Sequence, residues 1–268
     1  MYKRFNINIA KEFFGEKFSE YYKIGENLKL NNEKNAKDVL DKYIVDDIID
    51  GTKLEDEWFK KMKADIFISY SHNDIELVKA IAGWLNKEFG LNIFFDEAIW
   101  GQADELLHEI DNKYCLNENK QTYSYEKRNL STSHVHTMLS VSILKMIDLA
   151  ECVFFINTKE SIPIAKDVIE NGKNYTMSPW IYQEITMANN IQIKDKKYYR
   201  KNLILEHSKQ IEPQQELKIK YETDWNKLIN LNEEYLKKWE ISFSFNEFWK
   251  HEYNPLDLLY NLIERKAQ

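Results

Sequence analysis

The chain contains few of the residues that interrupt or cross-link a fold. Its 268 residues include 7 glycines, 4 prolines and 2 cysteines. The scarcity of glycine and proline argues against long flexible linkers. Two cysteines, Cys115 and Cys152, do not make a disulfide framework, and such sparse cysteine usage is typical of a reducing cytosol.

Long apolar runs and single-sign charge blocks are also missing. No apolar run approaches the roughly 18 residues of a transmembrane helix, and the basic start MYKRFNINIAKEFF lacks the cleavage site of a secretory signal. The net charge is −7 with acids and bases interspersed, which argues against a nucleic-acid partner. We therefore expect a cytoplasmic protein that binds neither membranes nor nucleic acids. Apolar residues make up 43% of the chain, enough for a sizeable core.

Helical periodicity dominates the first 62 residues. One aromatic stripe lies between Phe13 and Tyr22, and a second apolar stripe runs from Val39 to Ile49 at spacings of three and four. We interpret residues 1–62 as an N-terminal helical extension and residues 63–268 as the main domain. Because neither stripe has another partner, we expect the extension to pack on that domain.

From residue 65 onward, short apolar runs alternate with helical patterns. The runs predict strands at 65–71, 91–95, 152–156, 203–205 and 217–221. Helices are expected between them and at 104–114, 225–239 and 255–265, with a loop at 96–101 and a polar inserted loop at 112–132. This alternation predicts an α/β fold with a flavodoxin-like, parallel five-stranded sheet covered on both faces.

Ligands of such sheets bind beyond the carboxyl ends of the strands. Ser69, Tyr70, Ser71 and His72 follow the first predicted strand, so they are candidate ligand-binding residues; the alternative is that they only cap and turn the chain. Trp100, in the loop after the second predicted strand, either covers the ligand or packs back on the sheet.

The segment SPWIYQEI at 178–185 predicts a helix start. Ser178 is a favoured N-cap and Pro179 falls at the first helical position, so we expect a helix from there to about Asn190. Residues i and i+4 share a face, which places Glu184 over Trp180, beside a core stripe of Ile181, Ile185 and Ala188. Glu184 is either a functional acid or a surface acid over a half-buried indole.

Other candidate sites have weaker patterns. His134 and His136 are two residues apart and point apart on a helix, so with Cys115 they do not predict a metal site. The basic side chains of the insertion either meet phosphates or are simply solvated: Lys113, Lys120, Lys127 and Arg128. Neither Gly-x-Gly-x-x-Gly nor Gly-x-x-x-x-Gly-Lys occurs, which argues against Rossmann dehydrogenases and P-loop nucleotidases.

Three motifs in order resemble the Toll/interleukin-receptor (TIR) domain. They are DIFISYSHND at 65–74, FFDE with Trp100-Gly101 at 94–101, and SPW with Trp180-x-x-x-Glu184. The resemblance covers roughly residues 63–222, and the 112–132 insertion and the C-terminal part depart from it. It implies a TIR fold in which Glu184 is the catalytic residue of NAD⁺ cleavage and Trp180 contacts the substrate. NAD⁺ would be the substrate, with no further cofactor and no metal.

The resemblance also carries expectations about partners. TIR domains self-associate, and free-standing bacterial ones serve antiviral defence, some by making an ADP-ribose-derived signal for a separate effector protein. The alternative is a non-catalytic TIR adaptor that acts by assembly. A receiver-type phosphorylation module fits less well, because the exit of its first strand should carry paired acids rather than Ser69-Tyr70-Ser71.

Overall fold

A five-stranded parallel sheet lies at the centre of the computed structural model of the protein. The structure describes residues 1–33, 43–45, 48–59, 63–158, 175–176, 178–200, 221–222, 227–244 and 254–264. The strands are β1 (Lys3–Ile7), β2 (Ile44–Val45), β3 (Ile48–Ile49), β4 (Ile66–Ser69), β5 (Ile93–Phe95), β6 (Cys152–Ile156), β7 (Tyr175–Thr176), β8 (Tyr221–Glu222) and β9 (Ile229–Leu231). The sheet order is β5-β4-β6-β1-β9.

Helices cover both faces of this sheet. They are α1 (Phe18–Glu33), α2 (Gly51–Trp58), α3 (Ile75–Phe89), α4 (Glu97–Ile110), α5 (Tyr125–Leu149), α6 (Pro179–Asn190), α7 (Glu233–Ser244) and α8 (Pro255–Glu264). Alternate strand residues face opposite layers: Ile66 and Ile68 share a core with α1, α3, α7 and α8, whereas Phe67 packs with α2, α4, α5 and α6. The predicted α/β class and flavodoxin-like parallel sheet are confirmed. None of the described helices has the length and apolar character to cross a bilayer.

The helical interpretation of the N-terminus is wrong for residues 3–7. These residues form β1, which pairs in parallel with β6 from Lys3↔Cys152 to Ile7↔Ile156 and with β9 on its other side. The sequence does carry a short strand pattern here, because the buried Phe5 and Ile7 alternate with the polar Asn6. The aromatic stripe that predicted a helix begins only after this strand.

The fifth strand also differs from its prediction. Ile229–Leu231, expected within a helix at 225–239, forms the edge strand β9, and the helix α7 starts only at Glu233. The segment 203–205 and residues 217–220 lie outside the described residues. Tyr221–Glu222 pairs with Tyr175–Thr176 in a separate two-stranded antiparallel sheet.

Three further boundaries need correction. In the second predicted apolar stripe, Ile44–Val45 and Ile48–Ile49 pair as an antiparallel hairpin, and residues 34–42 lie outside the described part. Within the predicted loop 96–101, residues 97–101 are the first turn and a half of α4, and Asp96 is its N-cap, whose side chain accepts the Glu97 N–H at 2.7 Å. The predicted loop 112–132 includes most of the π-helical turn Asp111–Cys115 and the start of α5, so only residues 116–124 connect the two.

The crossing of α1 and α3 depends on two glycines. A Cβ atom at Gly25 would lie 1.8 Å from the Lys79 carbonyl oxygen, and one at Gly83 would lie 1.9 Å from that of Tyr21. The two helices therefore approach backbone to backbone, which only glycine allows at these positions. The N-terminal segment thus belongs to the layer of helices on that face of the sheet.

We predict that Gly25→Ala lowers the free energy of unfolding by about 2–3 kcal/mol, because the added methyl group separates two closely packed helices. Gly51→Ala is the matched control, since its nearest neighbour to a Cβ is the Met138 Cε at 3.8 Å. The control should be unchanged or slightly stabilised. Urea unfolding of both variants makes the comparison, and equal midpoints would show that the crossing is not close.

Candidate active site

Helix α6 begins and ends where the sequence predicts. The Ser178 Oγ accepts the Ile181 N–H at 3.3 Å, Pro179 occupies the first turn, and the helix ends at Asn190. Of the two alternatives for Glu184, the surface acid is wrong, because the Glu184 side chain is 0% exposed. Positions 181, 184, 185 and 188 form one continuous buried stripe, since the spacings of three and four on both sides of Glu184 keep it on the core face.

Trp180 lies at the margin of this buried stripe. Its half-buried ring packs against His136 of α5, with the ring centroids 5.4 Å apart and the planes 43° apart. The indole therefore has a protein partner on the neighbouring helix. The indole is half-buried, as that alternative had it, but the acid beside it is not at the surface.

The carboxyl group of Glu184 lies at the carboxyl edge of the sheet. Ser69, the last residue of β4, is close enough to affect the pKa of Glu184. Glu184 in turn is close enough to Asp96, which directly follows β5, to affect the pKa of Asp96. Within the described residues, neither carboxyl oxygen of Glu184 nor the Ser69 Oγ has a hydrogen bond of good geometry. The carboxyl edge thus holds a buried acid with unused hydrogen-bonding capacity.

Burial dominates the ionisation of both acids. It raises the pKa of Glu184 from 4.5 to about 8, and the Ser69 hydroxyl only partly opposes this. Burial also raises the pKa of Asp96 well above 3.8, and the negative charge of Glu184 raises it further. Hydrogen bonds from backbone N–H groups lower this pKa but do not outweigh the other two effects. Two buried acids that repel each other's charge titrate as a pair, so this pair retains a proton at neutral pH.

Glu97, the next residue after Asp96, has the opposite environment. Its carboxylate accepts the Tyr70 hydroxyl at 2.9 Å, and the Lys29 Nζ and His72 Nδ1 each lie 3.0 Å from its oxygens. Burial raises the pKa of Glu97, but hydrogen bonding and charge from Lys29, with the Tyr70 hydroxyl, outweigh it and lower the pKa overall. This network joins α1, the exit of β4 and the first turn of α4.

The sequence-predicted site residues fall into three groups. Ser69 lies beside Glu184, and Tyr70 and His72 contact Glu97. Ser71 occupies the N-cap position of the short 3-10 helix His72–Asp74, without a capping hydrogen bond from its side chain. Trp100 is in α4, but its side chain lies outside the described part of the structure.

Sequence reasoning missed three residues of the site. Asp96 and Glu97 lie directly after a predicted strand, and that position is itself the signal that marks ligand-site residues in parallel sheets. No comparable signal identifies Lys29, because its contact with Glu97 joins residues that are far apart in sequence.

The remaining candidates lie elsewhere. In the described part of the chain, no three His, Cys, Asp or Glu side chains are grouped as metal ligands would be. His134 and Lys127 line a separate pocket, and Arg128 donates to Asp111 at 2.7 Å. No protein-family model, curated protein or solved structure matches the chain.

We predict that Glu184→Gln makes the protein more stable than the parent as the pH rises. The folded parent holds the Glu184 proton between pH 4.5 and about 8 while the unfolded chain releases it. The stabilisation from this proton is therefore complete below pH 4.5 and is lost by about pH 8, at up to about 1.4 kcal/mol per pH unit. Glutamine cannot titrate, so the variant lacks this slope.

Urea unfolding across that pH window measures the difference. Glu16→Gln, a change of the same type at an exposed position, should keep the parental slope. If Glu184→Gln also keeps the parental slope, Glu184 does not hold a proton in the folded state.

Proposed function

We propose that the protein cleaves the nicotinamide–ribose bond of NAD⁺ with Glu184 as its catalytic carboxylate. The observation that carries the proposal is the burial of Glu184 at the carboxyl edge of a parallel sheet, with two carboxyl oxygens that have no hydrogen bond in the described residues. Burying such a group costs free energy, and perturbed acids of this kind concentrate at functional sites. The TIR-like motif around Trp180 and Glu184 supports the same assignment.

The chemistry suits one carboxylate. The bond between nicotinamide N1 and ribose C1′ breaks, its electron pair leaves with neutral nicotinamide, and positive charge develops on the ribose. An ionised Glu184 beside this cation stabilises the transition state electrostatically. Water or another nucleophile then bonds to C1′ and gives up a proton. A general acid is unnecessary because the leaving group departs uncharged, unlike in ordinary glycoside hydrolysis.

The surrounding residues support this role indirectly. Ser69 is placed to interact with the same carboxyl group, and Asp96 competes with it for a proton. Glu97 holds Tyr70 and His72 at the exit of β4, where a ligand of a parallel sheet would bind. In this proposal, Trp180 offers an aromatic surface to the substrate at the edge of the site.

Burial of Glu184 also implies that the site must open. A side chain that is 0% exposed cannot meet NAD⁺ without movement of the residues around it. We propose that self-association through TIR–TIR contacts produces this opening. The product would be ADP-ribose or a derived signal for a separate effector in antiviral defence.

The second candidate is a non-catalytic TIR adaptor. Complete burial of Glu184 favours it, because assembly alone requires no route to the acid. Under this alternative, Glu184 is a protonated core residue. The two functions differ in whether any assembled state of the protein consumes NAD⁺.

We predict that Glu184→Gln reduces NAD⁺ turnover by at least about 10²–10³-fold, as expected when one electrostatic stabiliser is removed. Glu16→Gln, on the exposed surface, should retain the parental rate. Because only ionised Glu184 is effective, the parental rate should rise about tenfold per pH unit up to about pH 8. Mass spectrometry of the products gives both measurements, and full activity of the Glu184→Gln variant would exclude Glu184 as the catalytic residue.

We also predict that activity per molecule rises with protein concentration, because the buried acid becomes accessible only in an assembly. The measurement is the specific activity over a hundredfold dilution, with light scattering to give the oligomeric state. Constant activity from a monomer throughout would contradict assembly-dependent opening. If the assembled protein consumes no NAD⁺, the adaptor function is the one that remains.

A further inference from the structure

A pocket of about 390 Å³ lies apart from the Glu184 site. One wall comes from the N-terminal segment, at Ile49 and Gly51, and a second from the end of α4 and the π-helical turn, including Ile110 and Cys115. The third wall is the N-terminal half of α5. The pocket therefore unites two of the segments that the TIR resemblance does not explain, residues 1–62 and 112–132. Its volume is within the range of small-molecule sites.

One face of α5 provides most of the third wall. Lys127, Leu130, Ser131, His134 and Met138 line the pocket at spacings of three and four. Leu130 is 62% exposed, although an apolar side chain of this size gains by being covered. Together with Ile49 and Ile110, these residues make the lining largely apolar with a few polar groups, as in most ligand pockets.

Asp111, the acid beside the pocket, already has hydrogen-bond donors and a counter-charge within the protein. The Ser131 Oγ donates to Asp111 Oδ1 at 2.5 Å, and the Arg128 Nε donates to Asp111 Oδ2 at 2.7 Å. The Cys115 thiol in turn donates to the Ser131 Oγ at 3.7 Å. Asp111 is only 3% exposed, so this network fixes the wall between α4 and α5 and offers no uncompensated negative charge to a ligand.

Lys127 and His134 also line the pocket but take no part in this hydrogen-bond network. Both are exposed, and within the described residues neither side chain has a hydrogen bond or an ion pair. They lie seven residues apart on α5, two turns along the same face. The pocket thus combines an apolar interior with an ammonium group that has no anionic partner in the described part of the chain.

We propose that this pocket binds a small amphipathic carboxylate, whose apolar body lies between Ile49, Ile110 and Leu130 and whose carboxylate pairs with Lys127. The apolar lining selects a hydrophobic body. Lys127, the lysine among the described lining residues, selects one negative charge, and Asp111, whose charge Arg128 compensates, gives a cationic ligand no counter-charge. This site is independent of NAD⁺ cleavage, so its test does not depend on the proposed function.

Decanoate is a suitable probe, used below its micellar concentration with the 268-residue chain. Calorimetric titration should show saturable binding, and decanoate should raise the melting temperature. Decyltrimethylammonium, with the same chain length and the opposite charge, should bind at least about tenfold more weakly, a difference equivalent to about 1.4 kcal/mol. Decanol should lie between the two.

Variants separate the charge from the apolar contact. Lys127→Met should weaken decanoate binding about three- to fivefold, as expected for an exposed ion pair, and leave decanol binding unchanged. Lys120→Met removes the same charge from the same segment outside the pocket and should change neither. Leu130→Asp, at an exposed position that tolerates a polar residue, should weaken both ligands. Circular dichroism confirms that each variant is folded.

Three results would overturn the proposal. The first is the absence of saturable binding and of a melting-temperature shift with decanoate. The second is equal affinity for decanoate and decyltrimethylammonium, which would show that the charge is not recognised. The third is unchanged decanoate binding by Lys127→Met or Leu130→Asp, which would place the ligand elsewhere on the protein.

Discussion

The parallel pairing of β1 with β6 is the constraint on which the rest of the structure depends. Five consecutive residues of β1 match five of β6, and β1 also holds the edge strand β9. Without β1, β9 would have no neighbour in the sheet. The chain then continues into α1, which crosses α3 at Gly25 and Gly83 and brings Lys29 to Glu97. This one strand pairing near the start of the chain thus helps to position both the strands in the middle of the sheet and the residues of the candidate active site.

Adjacent acids at the carboxyl edge show how strongly local surroundings control ionisation. Glu97 has an ammonium group, a hydroxyl and an imidazole within 3.0 Å, and its pKa is lowered. Asp96 and Glu184 are buried without such cations among the described residues, and the pKa of each is raised. The fold accommodates Glu184 by letting it keep a proton, which stabilises the folded chain at low pH. Ionisation at higher pH creates the charge that the proposed reaction requires.

Helix α5 connects the pocket with this edge of the sheet. Its pocket face runs from Lys127 to Met138, while His136, on a different face, packs against Trp180 at the start of α6. The N-terminal segment likewise contacts both regions, through Ile49 at the pocket and Lys29 at Glu97. The described parts of residues 1–62 and of the 112–132 insertion therefore pack into the domain, and each contributes to a place where a ligand could bind.

The sequence by itself determined the elements whose signals are local. The continuous apolar run of β6, the Gly90 end of α3 and the Ser178-Pro179 start of α6 were all predictable, because caps and periodicity act within a few residues. Only the tertiary structure decided that β1 fills the sheet between β6 and β9, that Glu184 is covered, and that Lys29 meets Glu97. Periodicity shows which side chains share a face of their own helix or strand. It does not show which distant segment covers that face, and strand pairing, burial and ionisation all depend on that contact.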